Sequence, residues 1–222
     1  MVSAPGLTLS LDASTYVGTV AVLRDGVVVA AREALMRGEH EERLMPAVLA
    51  ALADAGAMPR DLARVVCGAG PGSFTSLRIA AGIAKGIAHG VGVPLYAVSS
   101  LALVVAGAEP RLSPARYVAA LDAMRGERYA LLVDVATDGR IVTNGEATLA
   151  TPGQLTAHGL SVVGPLEAEP RAPHARGVAL LLDDSIAAGA VSLEAWEPSY
   201  GRLAEAQVRC EAAHCRPLLS DA

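Results

Sequence analysis

Four groups of residues in this 222-residue chain have types and spacings that could do chemistry. The first is Asp12-Ala13-Ser14-Thr15, a carboxylate and two hydroxyls between two short apolar runs. One large ATPase class places metal and phosphate at such a corner. The same residues also build ordinary turns, because Asp, Ser and Thr side chains bond to nearby backbone groups. The second is the glycine-rich stretch Gly68 to Arg78, which includes Gly70, Gly72, Ser73 and Thr75. Backbone N–H groups of such a loop, at a helix N-terminus, can hold an anion. No Gly-Lys-Ser/Thr follows, so it is not a Walker loop. It lacks the spacing of a dinucleotide fingerprint and of a Gly-x-Ser-x-Gly elbow. A tight strand-to-helix turn with a hydroxyl cap accounts for it equally well. The third, His40-Glu41-Glu42-Arg43-Leu44, has Leu where a zinc-protease helix needs its second His. The fourth, Cys210, His214 and Cys215, falls short of the four ligands of a zinc site.

The elements that must position these groups follow from periodicity and turn residues. Leu7–Leu11, Val17–Leu23 and Val27–Ala34 read as three strands, with Asp25-Gly26 as a hairpin turn. Glu41–Ala55 reads as a helix with Leu44, Val48 and Leu52 on one face and Pro46 in its first turn. Arg64–Ala69 is a strand, Thr75–His89 a helix and Pro94–Val98 a strand, and Ser99-Ser100 then caps a short helix. The second half reads as strands over 117–121, 127–135, 140–149 and 161–163. A short helix starts at Thr151-Pro152, Ala175–Ala188 is a helix, Pro165–Pro173 is a loop, and a strand is expected near 204–208. The whole is an α/β fold of mixed sheets flanked by helices. No repeat of fixed period is evident.

In the helix Thr75–His89, Ile79, Ile83 and Ile87 form a stripe expected to face the sheet. Arg78, Gly82, Lys85 and His89 fall on the far side, and Gly82 and Gly86 would let another backbone approach. The preceding helix carries no charge from Leu44 to Ala53. Two such helices point to a partner surface as readily as to packing within the chain.

Composition narrows the function. The net charge is −5, with −1 on residues 1–110 and −4 on 111–222, and aromatics are 3%. A chain that grips nucleic acid alone needs a cationic surface, and a base-stacking platform needs aromatics, so neither is expected. The first basic residue is Arg24, which argues against a secretory signal. The uncharged span 86–108 holds His89, Gly90, Gly92, Pro94, Ser99 and Ser100, and so reads as helix end, strand and helix start, not as a membrane span. Three cysteines suit a reducing, cytoplasmic setting.

Several segments together resemble the TsaB (YeaZ) family of bacterial tRNA threonylcarbamoyladenosine biosynthesis proteins. They are Leu9–Thr15, His40–Pro46, Gly70–Arg78 with Ala84-Lys85-Gly86, Leu121–Tyr129 and Glu197–Tyr200. The resemblance implies an actin-like, Hsp70-like ATPase fold of two RNase H-like lobes, here 1–105 and a reduced 106–222. It implies a non-catalytic subunit that activates a catalytic paralogue, TsaD, joined by the ATPase TsaE, with tRNA met only through the complex. The two helices would form the partner interface through Met45, Leu49, Leu52, Arg78, Ala81, Gly82, Lys85 and His89, and would pair with a second copy when the paralogue is absent. Asp12, Ser14, Thr15, Gly70, Gly72, Ser73 and Thr75 would be vestigial nucleotide and phosphate loops. The paralogue's two metal-binding histidines fall on Ser100 and Val104, so no metal or other cofactor is expected. No second-lobe Asp phosphate loop is evident beside Gly164-Pro165. Two readings compete: an active sugar or acid kinase of the same fold, which needs that second loop, and a metallopeptidase, which needs the missing histidines.

Overall fold

The structure, a computed structural model, describes residues 5–36, 43–157 and 159–201. The His40–Glu42 segment, the Cys210/His214/Cys215 group and the strand expected near 204–208 lie outside the described residues.

The chain opens with the antiparallel strands β1 (Leu7–Asp12), β2 (Val17–Arg24) and β3 (Val27–Leu35). Helix α1 (Leu44–Asp54) returns to β4 (Leu62–Gly68), α2 (Phe74–Val91) to β5 (Leu95–Val98), and α3 (Ser100–Ala106) follows. β4 and β5 join the sheet in parallel with β1, giving the order β3-β2-β1-β4-β5. The second half repeats this plan. β6 (Ala115–Asp122), β7 (Arg128–Val135) and β8 (Ile141–Ala150) are antiparallel. A short helix α4 (Pro152–Thr156) leads to β9 (Ser161–Gly164) and β10 (Glu169–Pro170), both in the parallel sense. The order β8-β7-β6-β9-β10 is that of the first sheet, element for element. The repeat that no fixed period reveals is thus present as topology. Pro165–Pro173, read as loop, contains the two-residue strand β10. The last helix, α5 (Val178–Ala188), follows a single tight turn at Ala175–Gly177.

Three hydrophobic clusters hold the halves. Every residue of α3 is buried, in a cluster shared by one face of each sheet: Leu23 and Val66 from the first, Ala119, Leu131 and Val133 from the second. The outer face of the first sheet is covered by α1 and α2, and the later residues Val191, Leu193 and Trp196 pack back onto it. The outer face of the second sheet has a smaller cluster, Val118, Ala120, Ala130 and Leu155, with α4 over it.

One expectation about α2 is corrected. Its buried residues are Ser76, Leu77, Ala80, Ala81, Ala84 and Ala88, while Ile79, Ile83 and Ile87 are only half-buried. The alanines let α2 lie close to the sheet, and the larger isoleucines are turned to the helix's flank. Among the described residues no helix is long and apolar enough to cross a membrane.

Candidate functional site

Asp12 ends β1 with its side chain fully buried. Its Oδ1 accepts the Ser14 N–H at 3.0 Å and the Ser14 hydroxyl at 2.8 Å. Its Oδ2 accepts the Ser100 hydroxyl at 2.5 Å, and Ser100 Oγ in turn accepts the Gly70 N–H at 3.0 Å. Burial pushes the Asp12 carboxyl above its ordinary value, and these hydrogen bonds pull part of the way back. Thr15 makes a local turn: its hydroxyl donates to the Val17 carbonyl at 3.1 Å and accepts the Val17 N–H at 3.2 Å. The Asp12, Ser14 and Thr15 side chains therefore face inward or serve the turn, while Tyr16 is exposed.

The glycine loop is closed upon that hairpin. The Ser73 N–H donates to the Ser14 carbonyl at 2.8 Å, and the Ser73 hydroxyl pairs with Ser76 at 3.1 Å. A side chain at Gly72 would overlap the Ser14 carbonyl, and one at Gly70, where φ is +80°, would overlap the Ser199 carbonyl. Glycine is required at both places by the close approach of other backbone. The Ser199 N–H reaches back to the Ala69 carbonyl at 2.8 Å, so the segment around Ser199 lies over the loop. With the Gly70 and Ser73 amides engaged inside the protein, the loop offers an anion less than its sequence suggests. Ser100 and Val104 are fully buried, and Ser100 is bonded to Asp12 as described.

The second lobe has its own hairpin in the equivalent place. Leu121-Asp122-Ala123 repeats Leu11-Asp12-Ala13 at the end of the first strand of its sheet. Asp122 Oδ1 accepts the Met124 N–H at 3.1 Å, the same two-residue reach that Asp12 makes to Ser14. Met124, Arg125 and Gly126 all have positive φ, at 62°, 54° and 79°, a strained turn for the first two. The Leu121–Tyr129 segment thus holds an Asp turn, without the Asp-x-Gly spacing of a phosphate loop.

Between the two hairpins lies a cleft of about 600 Å³. Its walls are the hairpins, the N-terminus of α2, the Pro165-Leu166 turn and Tyr200. Tyr16, Phe74, Tyr129 and Tyr200 line it, four of the seven aromatic residues of the chain. Phe74 and Tyr200 are in ring contact at 4.6 Å, and the Arg78 guanidinium lies 5.3 Å over Phe74. Phe74, Tyr129 and Tyr200 fall in segments that carry the family resemblance, as do Met124 and Arg125, whereas Tyr16 carries no sequence signal of a site.

The residues expected at a partner interface divide into two sets. Leu49 is 50% exposed, Arg78, Gly82 and His89 are exposed, and Met45 is half-buried. Lys85 is half-buried, with its ammonium 5.8 Å from the centre of the Trp196 ring. Leu52 and Ala81 are buried within this chain, Leu52 in the core under the sheet, so their side chains are not on the exposed side of their helices. A Cβ built on Gly82 or Gly86 meets no atom within 4 Å.

Comparison with known proteins agrees with this architecture. The family model described as "TsaD: tRNA N6-adenosine threonylcarbamoyltransferase" matches residues 34–156, more than half of the chain. The chain is 37% identical over 142 residues to the tRNA threonylcarbamoyladenosine biosynthesis protein TsaB of Escherichia coli, covering 64% of this chain and 60% of that protein. It is 36% identical over 124 residues to TsaB of Bacillus subtilis, covering 54% and 52%. It therefore spans little more than half the length of these relatives. The solved structure of YeaZ from Pseudomonas aeruginosa superposes with a TM-score of 0.74 at 28% identity, covering 88% of this chain and 99% of that one. Family match, relatives and superposition converge: the chain belongs to the tRNA N6-adenosine threonylcarbamoyltransferase family, in its TsaB (YeaZ) branch, and has an actin-like fold of two RNase H-like lobes.

Proposed function

We propose that this chain is a non-catalytic subunit of bacterial tRNA threonylcarbamoyladenosine synthesis, which binds and activates a TsaD-like paralogue. The observation that carries this reading is the state of Asp12: a catalytic or metal-binding carboxylate must face its ligand, and this one is sealed beneath Ser14 and Ser100. The chain then acts by binding, without a metal or cofactor of its own. A TsaE-like ATPase joins the pair, tRNA is met through the assembly, and the setting is cytoplasmic. Residues 1–105 form the lobe that carries the partner helices, and 106–222 the reduced lobe.

The partner surface is the outer side of α1 and α2, through Met45, Leu49, Arg78, Gly82, Lys85 and His89, with the half-buried isoleucines at its margin. Leu49 supplies exposed apolar area, and Gly82 and Gly86 leave room for a close helix. In isolation the same surface pairs with a second copy.

The variant Gly82→Glu tests the surface. Its Cβ enters open space and a helix-interior glycine is removed, so the fold is kept. Circular dichroism should be unchanged, while co-purification of the paralogue and self-association in sedimentation are lost. Normal pairing by the folded variant would place the interface elsewhere. ATP turnover on the order of 1 per second by the isolated chain, abolished by Asp12→Ala, would establish the kinase reading instead.

A further inference from the structure

We propose that residues 189–201 form a strap that ties the second lobe to helix α2, so that a partner seated on α2 tightens the closure of the two lobes. The strap itself rests on contacts within this chain; the partner's part in it rests on the docking role above. After α5 the chain runs back across the first lobe and is fastened at successive points. The Val191 N–H donates to the Leu95 carbonyl on β5 at 2.8 Å. Leu193 and Trp196 pack on the cluster under α1 and α2. Pro198 is buried, and the Ser199 N–H donates to the Ala69 carbonyl at 2.8 Å. The Tyr200 ring meets Phe74, the first residue of α2, at 4.6 Å. The Tyr200 carbonyl accepts the hydroxyl of Tyr129, on β7 of the other lobe, at 3.3 Å. One short stretch thus touches β5, α2, the glycine loop and the second sheet.

Two glycines seat it, one on each side of the contact. A Cβ at Gly70 would overlap the Ser199 carbonyl, and one at Gly201, where φ is +72°, would overlap the Tyr129 ring. Such close approach needs a residue without a side chain, which a loose tail would not demand. The latch on α2 is the Lys85 ammonium, 5.8 Å from the centre of the Trp196 ring, with both side chains half-buried. Lys85 lies three residues from Gly82 and next to Gly86, both exposed on the same helix. A helix laid over these glycines therefore covers the Lys85–Trp196 pair. A cation over an aromatic face is held more strongly once water is excluded. Docking then favours the fastened strap, and the strap carries that preference to Ser199, Tyr200 and the second lobe. It is one element with a fastened and a loose state, biased from both ends.

Two measurements test this: residue-resolved hydrogen exchange, and 19F NMR of the full chain labelled with 5-fluorotryptophan. The label gives one signal, because Trp196 is the single tryptophan. In the chain alone, Tyr129→Phe removes the hydroxyl at the second-lobe end. The Val191 amide at the other end should then exchange about threefold or more faster, and the Trp196 signal should move. Lys85→Met keeps the stem and removes the charge, and should speed the Ser199 amide about threefold. No change at Val191 in Tyr129→Phe, or at Ser199 in Lys85→Met, overturns the strap whatever the partner does. Saturating unlabelled paralogue should then slow the Ser199 amide about threefold or more in the wild type, and much less in Lys85→Met with unchanged circular dichroism. Equal slowing in both overturns the link from docking to closure. Failure of the wild type to pair with the paralogue overturns the docking role and the partner's part with it, while the exchange rates of the chain alone still decide the strap.

Discussion

The hairpins around Asp12 and Asp122 are two copies of one device with opposite fates. Each follows the first strand of its sheet, each begins Leu-Asp-Ala, and each aspartate accepts the N–H two residues on. Asp12 is fully buried under Ser14, Ser100 and the glycine loop; Asp122 is exposed at a cleft. Local geometry is thus set by the residue and its turn, whereas chemical availability is set by what the rest of the chain lays over it. Ser100 is part of the seal on Asp12, because its hydroxyl donates to Oδ2 inside the protein. Asp122 meets the Met124 N–H and, at 3.6 Å, the Arg128 guanidinium, and stays exposed.

The largest expected effect comes from the glycines that flank each hairpin. Gly72→Val would drive a side chain into the Ser14 carbonyl, which is backbone and cannot swing aside. We expect a loss of about 3 kcal/mol in urea denaturation. Gly126→Ala, on the other hairpin, meets no atom within 4 Å and faces only its φ of +79°. It should cost about 1 kcal/mol. Equal losses would mean that the first hairpin is no more closely packed than the second.

Ser100→Ala comes next. It leaves the Gly70 N–H and Asp12 Oδ2 buried without their partner. The expected loss is about 2 kcal/mol in the same measurement. A neutral result would show that water or another group serves Asp12, and that the seal is not built on Ser100.

The pH dependence separates the two aspartates further. Burial raises the folded-state pKa of Asp12 above 3.8, its ordinary value. Between that value and the raised one, the folded chain holds the proton more tightly than the unfolded chain. The contribution of Asp12 is therefore fully present below the unfolded pKa, and it is lost as pH rises through the folded one. Asp12→Asn removes this loss, so the variant should gain on the wild type as pH rises. The difference between the two profiles isolates Asp12, because His174 acts in the other direction. Burial lowers His174 to about 4, so its contribution is lost as pH falls from the ordinary 6.5 toward that value. Parallel profiles for wild type and Asp12→Asn would contradict the buried carboxylate.

What could be read in the sequence, and what could not, follows the same division. The strands around both hairpins are legible because alternating apolar runs end at turn residues, and Pro46 falls in the first turn of α1 as its chemistry requires. The stripe on α2 misleads because isoleucine outweighs alanine on any hydrophobicity scale, while close helix–sheet packing selects for small size; Ala80, Ala84 and Ala88 are fully buried, and Ile79, Ile83 and Ile87 pack half-buried beside them. The Asp122 turn lies in a segment that carries the family resemblance, but its likeness to the first hairpin is not legible, because the two share only Leu-Asp-Ala, too short a match to stand out across 110 residues of spacing. The cleft is not legible for a different reason. Phe74, Tyr129 and Tyr200 each fall in a segment singled out by its motif, but no spacing joins those segments to one another or to Tyr16, and only the topology brings the rings together.

The smallest effect belongs to the exposed aspartate. Asp122→Asn keeps a carbonyl oxygen that can accept the Met124 N–H, so the turn survives. It loses the charge facing Arg128 at 3.6 Å, but Arg128 retains Glu167 at 3.0 Å. An exposed pair of that length is worth a fraction of a kcal/mol. Stability should therefore stay within about 0.5 kcal/mol of the wild type, well below the cost of Ser100→Ala on the other side of the cleft. If Asp122→Asn is as damaging as Ser100→Ala, the second carboxylate is as structural as the first, and the open hairpin is not free to receive a ligand. If it is silent in stability, the two copies have diverged: Asp12 holds its lobe together and Asp122 stands exposed at the cleft.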